Sequence, residues 1–163
     1  MNNLPQRKTI RLKDYDYSKN GTYFITICTK NKQRMLWKPA VGVTSGRPPL
    51  SDIGDIIDKE IIKIPIIYED VEIDKYVIMQ NHIHLIILLN DNKDGRPEVT
   101  PTISRIMKYF KGSVSKQIGY TIWQKSYHDR IIRNEPEYLK IYEYIDTNPL
   151  KWRNDCFYSN ITV

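Results

Sequence analysis

Tyr76-Val77-Ile78-Met79-Gln80-Asn81-His82-Ile83-His84-Leu85-Ile86-Ile87-Leu88-Leu89 is an apolar, largely β-branched run with one polar break at Gln80-Asn81. That composition favours strand. The break is short enough for an antiparallel hairpin or for a bent single strand, so strands are expected over 71–79 and 82–89. Side chains in a strand alternate faces, which sends His82 and His84 to one side and Ile83 to the other. Two imidazoles held at fixed spacing suit a metal ion. The chain has only three histidines, two of them here. By itself the pair fits equally well two hydrogen-bonded structural histidines, and a metal site needs a third ligand.

Working outward, Thr22 to Thr29 (TYFITICT) reads as a strand and residues 1–20 as a basic N-terminal arm. The Pro- and Gly-containing stretch 38–50 reads as a loop. Ser51 can cap a helix running to about Ile64, with Ile53, Ile57 and Ile61 four apart, and Pro65 is expected to end it. Residues 90–101 form a second polar loop. Thr102 to Ile118 reads as a helix with Ile103, Ile106, Met107, Phe110 and Val114 inward. Ser126 to Ile132 reads as a short strand, and Glu135 to Thr147 as a last helix stopped before Pro149. The order β-α-β-β-α-β plus a C-terminal helix predicts an α+β fold: a ferredoxin-like split β-α-β antiparallel sheet, helices on one face and the other free for a site.

A chain of 163 residues is most simply one domain, 1–163, with one core. No apolar run approaches the roughly 18 residues of a membrane span, and Met1 to Lys13 lacks the apolar core of a secretory signal, so a cytoplasmic protein with no membrane partner is expected. Cys28 and Cys156 match no metal or redox spacing; Cys28 is expected to be a buried thiol. The net charge is +6, and the excess is local: nine Lys/Arg in residues 1–38 and seven in 101–133. Basic stretches that also contain Tyr109, Phe110, Trp123 and Tyr127 can meet phosphates and stack bases, or form an ordinary solvated surface.

Two candidates exist for the missing ligand. His128 would complete a three-histidine zinc site with an open position for water, as in a hydrolase. In the last helix, Tyr144 and Asn148 are four apart and share a face at the edge of the stripe Tyr138, Ile141, Tyr142, Ile145. Spacing does not choose between them.

Four blocks in order bear on that choice: Tyr76 to Leu85 around His82-Ile83-His84, Phe110-Lys111-Gly112-Ser113, Ile122 to Asn134, and Tyr144-Ile145-Asp146-Thr147-Asn148-Pro149. Together with Gly21-Thr22-Tyr23-Phe24-Ile25-Thr26 they resemble the single-tyrosine HUH transposases, most closely the REP-associated tyrosine transposases, over residues 8 to 153. One departure is Gln80, where the family usually has Pro. The resemblance implies an enzyme that nicks and joins single-stranded DNA on a ferredoxin-like core, acting on hairpins, as a monomer or homodimer in the nucleoid of a bacterial cytoplasm. It implies His82, His84 and Asn148 as ligands of Mg²⁺ or Mn²⁺, and Tyr144, on the added C-terminal helix, as the nucleophile of a 5′-phosphotyrosine intermediate. Arg7, Lys8, Arg11, Lys108, Lys111, Arg130 and Arg133 are the candidate DNA contacts. The alternatives are the three-histidine zinc hydrolase and a non-catalytic nucleic-acid-binding module.

Overall fold

The computed structural model describes residues 21–39, 48–90 and 101–157. The polar break at Gln80-Asn81 is a hairpin: Met79 N–H donates to His82 O across 2.8 Å, and Ile78 pairs with Ile83. The chain therefore runs β1 (Gly21–Cys28), α1 (Asp52–Ile67), β2 (Val71–Ile78), β3 (His82–Leu89), α2 (Ile103–Ile118), β4 (His128–Ile132) and α3 (Glu135–Thr147), then a 3-10 segment, Asn148–Asn154. The sheet order is β2-β3-β1-β4 with every pairing antiparallel, the expected ferredoxin-like arrangement.

Alternation along β3 divides the molecule. Ile83, Leu85, Ile87 and Leu89 pack with Tyr23, Ile25 and Ile27 of β1 into a core closed by α1 and α2. At roughly 1.5–3 kcal/mol for each fully buried aliphatic side chain, these four residues of β3 hold the register by about 6–12 kcal/mol. The opposite face is not free. Val77, Met79, Ile86 and Ile132 meet Ile141 and Ile145 of α3 and Trp152 of the 3-10 segment in a second core. The third layer exists because the chain does not leave the sheet at Pro149: Asn148 is itself helical, and Pro149 opens the 3-10 segment, where its missing N–H is not needed.

Two helix boundaries differ from expectation or depend on special residues. α1 runs through Pro65 to Ile67, because Ile64 before it is fully buried and the packing holds its helical conformation. Gly54 in the first turn of α1 admits the carbonyl of Leu36, which would lie 2.3 Å from an added Cβ. Of the two expected loops, residues 40–47 and 91–100 lie outside the described residues, as does the arm 1–20 with Arg7, Lys8 and Arg11.

One buried acid joins the two helices. Glu60 of α1, 1 % exposed, accepts from Lys63 (2.6 Å), Ser113 (2.6 Å) and Gln117 (2.8 Å), the last two on α2. Burial alone would raise its pKa, but these donors together outweigh it and hold the carboxyl below its usual 4.5. A depressed acid contributes stability above its unfolded pKa and loses it as pH falls. Glu60→Ala is therefore expected to cost about 1–3 kcal/mol in urea unfolding at pH 7, a deficit that shrinks below pH 4.

Candidate metal centre and tyrosine site

The second core encloses the two histidines. His82 and His84 are 0 % and 1 % exposed, and their Nε2 atoms lie 3.0 Å apart. Each ring is held from behind. His84 Nδ1 meets Thr26 Oγ1 at 2.8 Å, because Thr26 is its cross-strand partner on β1. His82 Nδ1 meets Asn81 Oδ1 at 2.8 Å. The Asn81 amide is oriented by its own bonds: Nδ2 donates to the carbonyls of Lys32 (3.2 Å) and Phe157 (2.9 Å). Its Oδ1 is thus an acceptor, His82 Nδ1 carries the proton, and Nε2 presents a lone pair. In the tautomer in which His84 Nδ1 donates to Thr26 Oγ1, the second ring presents its Nε2 lone pair in the same way.

Such outer hydrogen bonds are how metal-binding imidazoles are oriented. The electrostatics agree. Burial, and then the charge of Lys32, push the His82 pKa down to about 3. Burial, then His82, hold His84 well below its ordinary value, with Asp155 acting the other way. With both rings in the tautomer protonated at Nδ1, the two Nε2 lone pairs face each other at 3.0 Å, and a cation between them would relieve their repulsion. Nitrogens on adjacent octahedral positions, with bonds of about 2.1 Å, would stand ~3.0 Å apart. The residues present therefore fit a metal ion.

Asp155 stands with the pair. Ligand atoms of His82, His84 and Asp155 all lie within 4.8 Å of one another, a cluster able to hold a metal ion. Asp155 follows the 3-10 segment, 11 residues beyond Tyr144, and no spacing in the sequence points to it; it went unread there, as did Thr26 and Asn81. Thr26 was accessible from the alternation of β1 once the strand order was known.

Tyr144 lies on α3 beside Ile145, which is fully buried, and is itself 38 % exposed. Its hydroxyl is 3.3 Å from His84 Nε2 and donates to Asp155 Oδ2 at 3.0 Å. Burial first, then the charge of Asp155, push its pKa well above the usual 10. Asn148, one turn on, is 2 % exposed, and neither atom of its amide has a hydrogen bond of ordinary geometry. Tyr144, Asn148 and Asp155 line a cavity of about 340 Å³ with Lys140, Glu143, Thr147 and Lys151. Phe24 stacks on His84 at 5.2 Å and Phe157 lies over His82 at 4.6 Å, lining the pair with apolar rings.

The other candidates are dispersed. His128 is exposed on β4, opposite Thr26, and no metal cluster among the described residues includes it. The three-histidine zinc site is thus not assembled, because a strand separates the third ring from the pair. Arg130 is paired with Glu137 at 2.5 Å, and the Arg133 backbone donates to the same carboxylate. Lys111 is half-buried and donates to Gln124 O at 2.6 Å, bracing the segment before β4. Lys108 is exposed on α2, across the sheet from Tyr144. No helix among the described residues is long and apolar enough to cross a membrane.

No family model matches the chain. Among solved structures, a REP-associated tyrosine transposase bound to a REP hairpin superposes with a TM-score of 0.65 at 23% identity, over 87% of this chain and 74% of that one, which is a likeness of fold. An uncharacterized protein of Haemophilus influenzae is 34% identical over an alignment of 174 residues, spanning 95% of this chain and 94% of the relative. At that identity over nearly the full length of both, the chain belongs to the same family as the Haemophilus influenzae protein, built on the fold seen in the REP-associated tyrosine transposase.

Proposed function

We propose that this protein is a metal-dependent single-stranded DNA nuclease and strand transferase of the single-tyrosine HUH type. The observation that carries the reading is the Tyr144 hydroxyl, half-exposed at a cavity and 3.3 Å from the free nitrogen of a buried histidine pair. A tyrosine poised beside two lone-pair-presenting imidazoles suits attack on a phosphodiester better than hydrolysis by a metal-bound water, and the third histidine that a zinc hydrolase would use stands elsewhere. The neighbour in fold is bound to a hairpin, which makes hairpin DNA the substrate to test first.

His82, His84 and Asn148 would hold a divalent cation, Mn²⁺ or Mg²⁺, which would supply positive charge toward the scissile phosphate. Tyr144 Oη attacks phosphorus; the bond to the 3′-oxygen breaks, leaving a 5′-phosphotyrosine and a 3′-hydroxyl. The covalent link keeps the phosphodiester's energy, so a second 3′-hydroxyl can displace Tyr144 and join a new strand. The phenolic proton has an acceptor in place, Asp155 Oδ2, and passes by way of solvent to the departing 3′-oxygen. Lys140 and Lys151 bring positive charge to the rim of the same cavity. Arg7, Lys8, Arg11, Lys108 and Arg133 are proposed to meet the DNA backbone. Lys111 and Arg130 contribute there at the cost of the bonds they make now. Tyr144 lies against the histidines of its own chain, and such an enzyme, as a monomer or homodimer, would work on the bacterial nucleoid.

With single-stranded hairpin DNA from the flanks of its gene and Mn²⁺, the protein is expected to form a denaturant-resistant adduct. Tyr144→Phe should lower adduct yield at least ~100-fold with hairpin affinity little changed. An undiminished adduct would remove Tyr144 from its role, and salt-sensitive binding with no adduct under either metal would mark a binding module instead. Metal affinity gives an independent check. Because His82 takes a proton only near pH 3, and His84 also well below 6.5, Mn²⁺ affinity measured by calorimetry should stay nearly flat from pH 7.5 to 5.5. Imidazoles of ordinary pKa would instead lose affinity steeply below about 6.5.

A further inference from the structure

We infer that Asp155 is a protein ligand of the metal, and that its coordination fastens the segment after α3 across the histidine face of the sheet. The inference rests on the reading of His82 and His84 as a metal pair. Three observations point to it. The Asp155 carboxylate reaches within 4.8 Å of both histidine nitrogens, on a side chain that is not fully exposed. It is already aimed: Oδ1 accepts from Phe157 N–H at 2.7 Å and Oδ2 from Tyr144 at 3.0 Å. A carboxylate has about four lone-pair sites, so two hydrogen bonds leave room for a metal bond. Finally, the residue that orients His82 also holds this segment. Asn81 Oδ1 takes the His82 proton while Asn81 Nδ2 holds Phe157 O, and the Phe157 ring lies on His82. Asn81 thus sets the position of a histidine ligand and of the acid that completes the set.

The chemistry of the donors favours the same conclusion. Two imidazoles and an amide leave the full double charge of the cation uncompensated beside the rings of Phe24 and Phe157. A carboxylate removes one unit and adds the hard oxygen that Mn²⁺ and Mg²⁺ take readily. Asn148 can remain a ligand alongside it, since six positions are available to such ions.

Asp155→Asn is nearly isosteric: its amide oxygen can keep the bond from Phe157 N–H and its NH2 can donate to Tyr144 Oη, while the charge is lost. Metal-stripped protein titrated with Mn²⁺, with free Mn²⁺ read by electron paramagnetic resonance, should show affinity falling more than about tenfold in Asp155→Asn. Hydrogen exchange at the Cys156 and Phe157 amides should slow on adding Mn²⁺ to the wild type and not to the variant. Equal affinity in Asp155→Asn, or exchange in the wild type indifferent to Mn²⁺, would overturn the inference and leave the metal pair standing. Absence of Mn²⁺ binding in the wild type, or binding unaffected by His82→Ala, would instead remove the metal pair and this inference with it. The wild-type exchange measurement decides the matter even if the variant folds poorly.

Discussion

Strand β3 can bury both of its faces only because the faces differ. Ile83, Leu85, Ile87 and Leu89 enter the core under α1 and α2, while His82, His84, Ile86 and Leu88 face α3. A slip of one residue would drive two imidazoles into the aliphatic core and turn the aliphatic row toward α3, so hydrophobic burial on one side locks the histidines on the other. The geometry of the histidine pair is thereby held by a core in which the histidines take no part. The short Gln80-Asn81 link fixes the register further by starting β3 directly at His82.

The histidine face gains its chemistry from a third layer. A two-layer ferredoxin-like sheet would leave His82 and His84 wet, with ordinary proton affinities. Trp152 of the 3-10 segment, Phe157 just beyond it, Tyr144 of α3 and Phe24 of β1 lie against them. Drying lowers their proton affinity, which keeps the lone pairs available. The same layer delivers Tyr144 half-exposed, where Ile141 and Ile145 anchor the helix and leave the phenol at the margin between core and cavity. Burial raises the pKa of Tyr144 as well, so the arrangement that prepares the ligands makes the phenol harder to ionise. The Asp155 carboxylate that accepts its hydrogen bond raises the phenol's pKa further.

Charge and geometry divide along the fold. The exposed cations read from the sequence are spread over α2, β4 and the turn before α3, and two of them, Arg130 and Lys111, are already engaged in internal bonds. Lys140 on α3 and Lys151 on the 3-10 segment line the same cavity as Tyr144.

The sequence by itself determined the strand alternation that pairs His82 with His84, the order of elements that defines the sheet, and the helical spacing that puts Tyr144 and Asn148 on one face. These are legible because a strand repeats every two residues and a helix every 3.6, whatever surrounds them. Tertiary structure alone decided the rest. That His128 stands apart while Asp155 joins the pair follows from strand pairing and from a 3-10 segment continuing past Pro149, where the proline looked like a stop. That Asn81 sets the proton on His82 depends on carbonyls contributed by Lys32 and Phe157, 49 and 76 residues away in the chain. Local periodicity carries no record of such distant contacts, because they exist only once the chain has packed.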